Sequence, residues 1–181
     1  MRFITAVLFA ASVFGATAAQ AEMKFTSKDL AAGKSMADAQ VFNSFGCAGE
    51  NISPELTWSG APEATKSFAI MAYDPDAPTG SGWWHWSVFN IPADASKVAT
   101  GASGDKKLPA GAVEGRTDFG MSGYGGACPP AGDQPHHYQF TVYALSVDKF
   151  PLPETAPAAM VGFYVRANTL AKASVEFTYG R

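Results

Sequence analysis

The chain has 181 residues, of which 47% are hydrophobic and 16% charged, and its formal net charge at neutral pH is -3. This composition is typical of one folded domain with a real core and excludes an intrinsically disordered chain. A mildly acidic chain without a basic patch gives no electrostatic support for nucleic-acid binding. The 18 glycines and 12 prolines cluster between apolar runs, which favours strands and turns over a helical bundle.

The first 21 residues have the pattern of a secretory signal peptide. Arg2 gives a positive start, residues 4–14 are apolar, and Ala19-Gln20-Ala21 matches a small-residue cleavage signal. We therefore predict removal of residues 1–21 and a single domain over residues 22–181, located in the periplasm or secreted. The apolar run is too short to span a bilayer, so we expect no stable membrane insertion.

The two cysteines, Cys47 and Cys128, agree with export. An even number of cysteines in an oxidising compartment favours a structural disulfide between them. A free reactive thiol is the alternative. Their spacing matches no zinc motif.

Six stretches have the pattern of strands: 23–27, 53–58, 66–73, 86–91, 138–147 and 174–179. The run 66–73 is almost continuously apolar, which is typical of a strand buried on both faces. The segment 93–115 is small, polar and glycine-rich, and we expect it to be an extended surface excursion.

One helix is predicted near the end of the chain. Thr155 is its expected N-cap, with Pro157 in its first turn. Apolar residues then recur at helical spacing: Met160, Phe163, Ala167, Leu170 and Ala171. An all-β domain with one packed C-terminal helix is the simplest architecture.

The residues able to do chemistry fall in two stiff stretches. The first, residues 73–86, contains two acids, two prolines, three tryptophans and a histidine. Asp74 directly follows the apolar strand, and Pro75 restricts the backbone between Asp74 and Asp76. We expect a tight return to bring His85 beside Asp74, where a hydrogen bond would raise the pKa of the imidazole.

The second stretch, residues 123–138, contains the other two histidines. His136 and Tyr138 alternate at the start of a strand and share one side, while His137 points away. Gly125 and Gly126 leave backbone N–H groups unshielded, which indicates a small anion site. The two stretches together predict a pocket for a small group bearing both signs of charge, such as a phosphate beside an amine.

Other interpretations of these residues stay open. The acids can simply form Asx turns and the tryptophans can belong to the core. Asp74, Asp76, His85 and His136 could bind a metal, although their spacing matches no specific metal motif. They could also serve as acid and base in a hydrolase, although no G-x-S-x-G elbow is present. Because all three histidines fall in two stiff loops, where function concentrates, we favour a binding pocket without a cofactor over an enzyme.

Two motifs in this order, Asp-Pro-Asp-Ala-Pro at 74–78 and Gly-x-x-Pro-Pro-x-Gly-x-x-x-His-x-Tyr at 126–138, resemble the phosphatidylethanolamine-binding protein family. The chain looks like the family's exported bacterial branch of Raf-kinase-inhibitor-like proteins. The resemblance implies an antiparallel Greek-key β-sandwich with few short helices. It also implies a small pocket for phosphate or a phosphoethanolamine head group, with no cofactor and no catalytic turnover.

The resemblance also implies which residues line this pocket. The expected ligand-binding residues are Asp74, Asp76, His85, Gly126, His136 and Tyr138. The expected pocket wall is formed by Pro75, Trp84 and Pro129. The family's eukaryotic role in kinase regulation is not expected of an exported bacterial chain, because a fold does not fix a function. A module that modulates a protein partner in the envelope or outside the cell is an alternative function.

Overall fold

Eight strands form two antiparallel sheets in the computed structural model, which describes residues 22–181. The predicted signal peptide, residues 1–21, lies outside the described residues. The smaller sheet has the order β1 (Lys24–Thr26), β2 (Leu56–Ser59), β5 (Lys97–Val98). The larger sheet has the order β6 (Val113–Glu114), β4 (Trp83–Pro92), β3 (Ser67–Asp74), β7 (His136–Leu145), β8 (Thr169–Tyr179). This arrangement confirms the predicted antiparallel β-sandwich.

Strand β3 is the centre of the larger sheet and is buried on both faces, as its apolar run predicts. Phe68 and Ile70 lie on one face and belong to the main core between the two sheets. Ala69 and Met71 lie on the other face and pack in a second core with the helix. Because successive side chains of a strand point to opposite faces, one continuous apolar run fills both cores.

The helix α1 (Ala158–Ala167) is present, but its cap and its buried face differ from the prediction. Pro157 is the N-cap residue, and no side chain caps the helix, so the assignment of Thr155 was wrong. The buried residues are Ala158, Val161 and Val165. Met160 and Phe163, which we placed on the core face, are 48% and 72% exposed.

The predicted helical pattern failed because it continued into the next strand. Leu170 and Ala171 belong to β8, which begins at Thr169 rather than at 174. The last helical carbonyls are taken by two side chains: Asn168 Nδ2 donates to Tyr164 O at 2.8 Å, and Thr169 Oγ1 donates to Val165 O at 2.7 Å. These bonds end the helix, and the chain continues directly into pairing with β7.

Other element boundaries differ from the prediction, because pairing with a neighbouring strand extends a strand beyond its apolar run. Strand β4 starts at Trp83, which pairs with Asp74 across the hairpin. The segment 93–115 contains β5 and β6 and is therefore more than a surface excursion. Within residues 22–181, no helix is both long and apolar enough to cross a bilayer.

The order of the larger sheet positions the site. Strands β4 and β7 both run antiparallel to β3 and flank it. The last residue of β3, Asp74, therefore lies at the same end of the sheet as the first residues of β4 and β7, Trp83 and His136. Two predicted stretches that are far apart in sequence meet at this end.

Candidate binding site

A cavity of about 200 Å³ opens at this end of the larger sheet. Its lining is mostly apolar, with four polar side chains among it. The lining residues are Phe45, Asp74, Ala77, Pro78, Thr79, Trp83, His85, Phe119, Cys128, Pro129, Pro130 and His136. A larger cavity of about 700 Å³ lies elsewhere, beside β6, and contains none of the predicted site residues. We place the candidate site in the smaller cavity because the predicted histidines face it.

Asp74 is buried, and both of its carboxylate oxygens accept hydrogen bonds. Its Oδ1 accepts bonds from the backbone N–H groups of Asp76 and Ala77, at 2.8 and 3.2 Å. Its Oδ2 lies 2.7 Å from Nδ1 of His136. Asp74 therefore forms an Asx turn and also orients a histidine. The structural and the functional interpretation of this acid are compatible.

The partner of Asp74 is therefore His136 and not His85, which corrects our expectation. The hairpin residues 75–82 do return tightly, but the side chain of Asp74 points towards β7. Because a carboxylate accepts, Nδ1 of His136 carries the shared proton, and Nε2 is the ring nitrogen left over. Nε2 lies 3.5 Å from the half-exposed carboxylate of Asp133.

His85 is held instead by two backbone carbonyls. Its Nδ1 lies 2.8 Å from Gly125 O and 3.1 Å from Gly126 O. Its Nε2 is buried and has no hydrogen-bond partner among the described residues. Burial lowers the pKa of His85 below its ordinary value, although the Gly125 carbonyl and the charge of Asp74 act in the opposite direction.

The glycine pair acts through its carbonyls, and its N–H groups are not free for an anion. Gly125 N donates to His85 O at 2.9 Å, and Gly126 N donates to Asn51 Oδ1 at 2.7 Å. A side chain at Gly126 would overlap the backbone of Gln40 and Phe42. Glycine is thus required here for close backbone approach. Gly126 does not line the cavity and contributes to the site by accepting a hydrogen bond from His85.

Asp76 and His137 form a second pair outside the cavity. Oδ2 of Asp76 lies 2.7 Å from both the backbone nitrogen and Nδ1 of His137. The side chains are 41% and 48% exposed. The hydrogen bond to Asp76 raises the pKa of His137. Burial acts to raise the pKa of Asp76, but hydrogen bonds from His137 outweigh it and lower that pKa.

Tyr138 lies behind the cavity and not in its wall. Its ring is buried in the main core and packs edge-on against His85, with ring centroids 5.1 Å apart. Burial raises the pKa of its hydroxyl. His136 and Tyr138 do share one face of β7 while His137 points outward, as the alternation predicts.

Only one of the three residues predicted to form the pocket wall lines the cavity. Pro129 lines the cavity, whereas Pro75 does not. Trp84 points to the opposite face of β4 and packs against Tyr73, with ring centroids 4.4 Å apart. Trp83 takes its place, because residues 83 and 85 share a face of a strand. Alternation holds from Trp83 to His85, but a register shift opposite Ala72 and Tyr73 follows, and Trp86 faces the main core although Trp84 does not. Alternation counted back from Trp86 would therefore have placed Trp84 on the wrong face.

Two aromatic residues near the cavity were missed by sequence reasoning. Phe119 packs edge-on against both His85 and Trp83, with ring centroids 5.3 Å apart in each case. Phe45 is 65% exposed beside the cavity and has a φ of 56°. Neither lies in a motif, and their positions depend on loops that pack across the domain.

A disulfide between Cys47 and Cys128 joins these loops and confirms the predicted pairing. The two residues are separated by 81 positions in sequence, and their Cα atoms are 5.9 Å apart. Arg181 bonds to the same two loops, donating from Nε to Pro129 O at 2.7 Å and from Nη1 to Gly46 O at 2.8 Å. The disulfide and the hydrogen bonds of Arg181 therefore both hold these two loops together.

The cavity has few sources of positive charge. Among its described lining residues there is no lysine or arginine, so only imidazoles can supply positive charge. Nor do residues 22–181 contain a group of three or more His, Cys, Asp or Glu side chains placed to hold a metal ion. Of the four metal-ligand candidates, Asp74, His85 and His136 line the cavity, but both oxygens of Asp74 already accept hydrogen bonds and Asp76 lies outside the cavity.

The sequence and the fold match known proteins. A sequence model of the family described as "Phosphatidylethanolamine-binding protein" matches residues 26–180. The chain belongs to this family.

Two relatives from Escherichia coli K12 are similar over most of their length. The UPF0098 protein YbcL is 51% identical over 178 residues, covering 97% of this chain and 96% of its own. The UPF0098 protein YbhB is 50% identical over 154 residues, covering 84% and 97%. The crystal structure of YbcL superposes with a TM-score of 0.86 at 52% identity, covering 89% of this chain and 99% of that one. These names describe no enzymatic activity.

A third relative bears on location. The putative lipoprotein LppC of Mycobacterium tuberculosis H37Rv is 41% identical over 103 residues, covering 57% of this chain and 48% of its own. Its name places a related domain on a lipoprotein.

Proposed function

We propose that this protein binds a small phosphate-type anion, such as O-phosphoethanolamine, in the cavity between His85 and His136, without catalytic turnover. The observation that carries the proposal is the convergence of two buried imidazoles on one small cavity, each with Nδ1 already bonded. Each ring therefore has only Nε2 left for a ligand. A cavity of about 200 Å³ suits a small group.

The hydrogen bonds of Asp74 argue for binding over hydrolysis. A general base needs a free oxygen within reach of the proton that it removes. Both oxygens of Asp74 accept hydrogen bonds inside the protein. We therefore assign Asp74 the role of orienting His136, and not that of an acid, a base or a partner for a ligand's amine.

We further propose that the protein works in the periplasm or outside the cell. The signal-peptide pattern of residues 1–21 and the Cys47–Cys128 disulfide support this, because disulfides persist in oxidising compartments. The lipoprotein name of a relative is consistent with an envelope setting.

Tryptophan fluorescence titrated with O-phosphoethanolamine tests the proposal, because Trp83 lines the cavity. We expect saturable binding that weakens by at least about tenfold in His136→Gln, since a charge-assisted contact contributes about 1.5–3 kcal/mol. His137→Gln is the matched control, because the neighbouring ring lies outside the cavity, and it should bind like the wild type. Equal binding by wild type and His136→Gln would remove the cavity as the site.

A further inference from the structure

The proton position on His85 limits which ligand this cavity can accept. Nδ1 lies within hydrogen-bonding distance of two carbonyl oxygens, those of Gly125 and Gly126. Carbonyl oxygens only accept, so Nδ1 must carry a proton. In a neutral imidazole the other nitrogen then presents a lone pair.

The burial of His85 favours the neutral form of the ring. The residue is 4% exposed, and burial lowers its pKa. The charged or titratable groups around it are Asp74, Asp118, His136 and Tyr138. Asp74 and Asp118 act to raise the pKa, but both carboxylates are already hydrogen-bonded, to His136 and to the backbone nitrogen of Trp84 respectively.

Two residues that line the cavity each have a buried polar atom without a hydrogen-bond partner in the described part of the chain, one an acceptor and the other a donor. His85 Nε2 is a buried acceptor and Trp83 Nε1 is a buried donor, and neither has a partner within residues 22–181. Buried polar groups are normally paired. A ligand that brings both an O–H group and an anionic oxygen would satisfy both atoms.

Resting on the proposed function, we propose that His85 presents an unprotonated Nε2 to the ligand, and that the site therefore selects phosphomonoester monoanions, which carry a P–O–H group, over phosphodiesters, which do not. The P–O–H group donates to Nε2 of His85. An anionic oxygen accepts from Trp83 Nε1 or from Nε2 of His136, in exchange for the 3.5 Å contact of that nitrogen with Asp133. A diester of the same charge would instead place oxygen acceptors against the lone pair of His85.

Ethyl phosphate and dimethyl phosphate test this directly, because they are isomers with the same atoms. At about pH 5.5 both are monoanions, since the second pKa of a phosphomonoester is about 6. Only ethyl phosphate has an O–H group. By calorimetry on the oxidised protein we expect ethyl phosphate to bind at least about tenfold more tightly.

The pH dependence adds a second arm. Raising the pH to about 8 removes the last proton of ethyl phosphate, and its affinity should fall by at least about tenfold. In His85→Asn, the side-chain amide can still donate to the glycine carbonyls but offers no acceptor at the Nε2 position. The preference for ethyl phosphate should disappear in this variant.

The outcomes separate this inference from the proposed function. If the two isomers bind equally and both lose affinity in His136→Gln, the anion site stands and the selection by His85 is overturned. If neither isomer binds, both proposals fail. Independently of any ligand, ¹⁵N NMR of labelled histidine should show His85 protonated at Nδ1 and unprotonated at Nε2 near neutral pH. A protonated Nε2 would overturn the inference.

The same group occurs on free phosphomonoesters and on phosphatidic acid. Cosedimentation with phosphatidic acid vesicles distinguishes the two sources, with vesicles of phosphatidylglycerol, a diester, as the control. Competition of soluble ethyl phosphate against the vesicles assigns the binding to the cavity. Binding to both kinds of vesicle, undiminished by ethyl phosphate, would count against selection by this site.

Discussion

Asp74 Oδ2 and His136 Nδ1 lie 2.7 Å apart with side chains only 3% and 4% exposed. Two residues further on, Asp76 makes the same contact at the same distance with His137, but on the surface. Alternation along β7 sends the neighbouring histidines to opposite faces, and each meets one acid of the Asp-Pro-Asp turn. The domain therefore contains two Asp–His contacts of the same length, one buried and one exposed.

The same substitution, Asp to Asn, should reduce stability by different amounts in the two pairs. Asp74→Asn should lower the free energy of unfolding by about 1–3 kcal/mol, because the single amide oxygen cannot accept from both the turn and His136 and leaves a buried donor unsatisfied. Asp76→Asn should lower it by less than about 1 kcal/mol, because exposed pairs contribute little. Urea unfolding near pH 6 measures both. Similar losses in the two variants would show that burial does not separate the pairs.

His85 should make the protein less stable in acid. Its pKa is lowered by burial, so its neutral form favours the folded state above the unfolded pKa of about 6.5. That stability is lost as the pH falls towards the lower, folded-state pKa, at no more than about 1.4 kcal/mol per pH unit. Urea unfolding between about pH 7.5 and 5 should show a weaker dependence in His85→Asn. An unchanged pH dependence would contradict the assignment.

His137 should show the opposite sign. Its pKa is raised by the hydrogen bond to Asp76, so its contribution is fully present below about pH 6.5 and is lost as the pH rises through the folded-state pKa. His137→Gln should therefore cost stability at about pH 5.5 and almost none at about pH 8.5. The effect should stay below about 1 kcal/mol, because the pair is exposed. A larger loss at the higher pH would reverse this interpretation.

The disulfide should contribute several kilocalories to stability. It closes a loop with a sequence separation of 81, for which the chain-entropy model gives about 4–5 kcal/mol. The double variant Cys47→Ser, Cys128→Ser should be destabilised by about 2–5 kcal/mol in denaturant. Reductant should reproduce this loss in the wild type and have no effect on the double variant. A loss below about 1 kcal/mol would mean that Arg181 and packing suffice to hold the loops.

Gly126 should not tolerate even one methyl group. A Cβ there would lie 2.5 Å from Phe42 N and would also overlap the Gln40 carbonyl. Gly126→Ala should cost about 1–3 kcal/mol through forced backbone shifts. Gly104→Ala is the control, since the nearest heavy atom to its Cβ is 3.9 Å away; it should change stability by less than about 1 kcal/mol. Thermal unfolding compares the two, and an equal effect would argue against the close approach.

Strand-level features of this fold were predictable because they are local. The apolar run of β3 and the alternation of β7 indicate their faces directly. The helix was located correctly, but its face was wrong, and Leu170 and Ala171 of β8 extended the helical pattern by chance. Period alone cannot tell where a helix gives way to a strand whose residues are small.

The site was only partly predictable, because its contacts depend on which strand faces which. The sequence indicates that Asp74, His85 and His136 meet. It does not show that Asp74 turns towards β7 or that two glycine carbonyls hold His85. Phe119 lies in no motif that would have marked it as a site residue. These details come from the sheet order and from loops packed across it.

The cavity is built from parts spread along most of the domain. The cavity is lined by Phe45, by Asp74 and residues 77–79, by Trp83 and His85, by Phe119, and by residues 128–130 and His136. No single hairpin contains enough of them to form the cavity alone. Bound ligand should therefore slow amide exchange throughout the two sheets and raise the cooperative unfolding midpoint with concentration. Occupancy of the cavity would then serve as a sensor of whether the whole chain has reached its native, oxidised state.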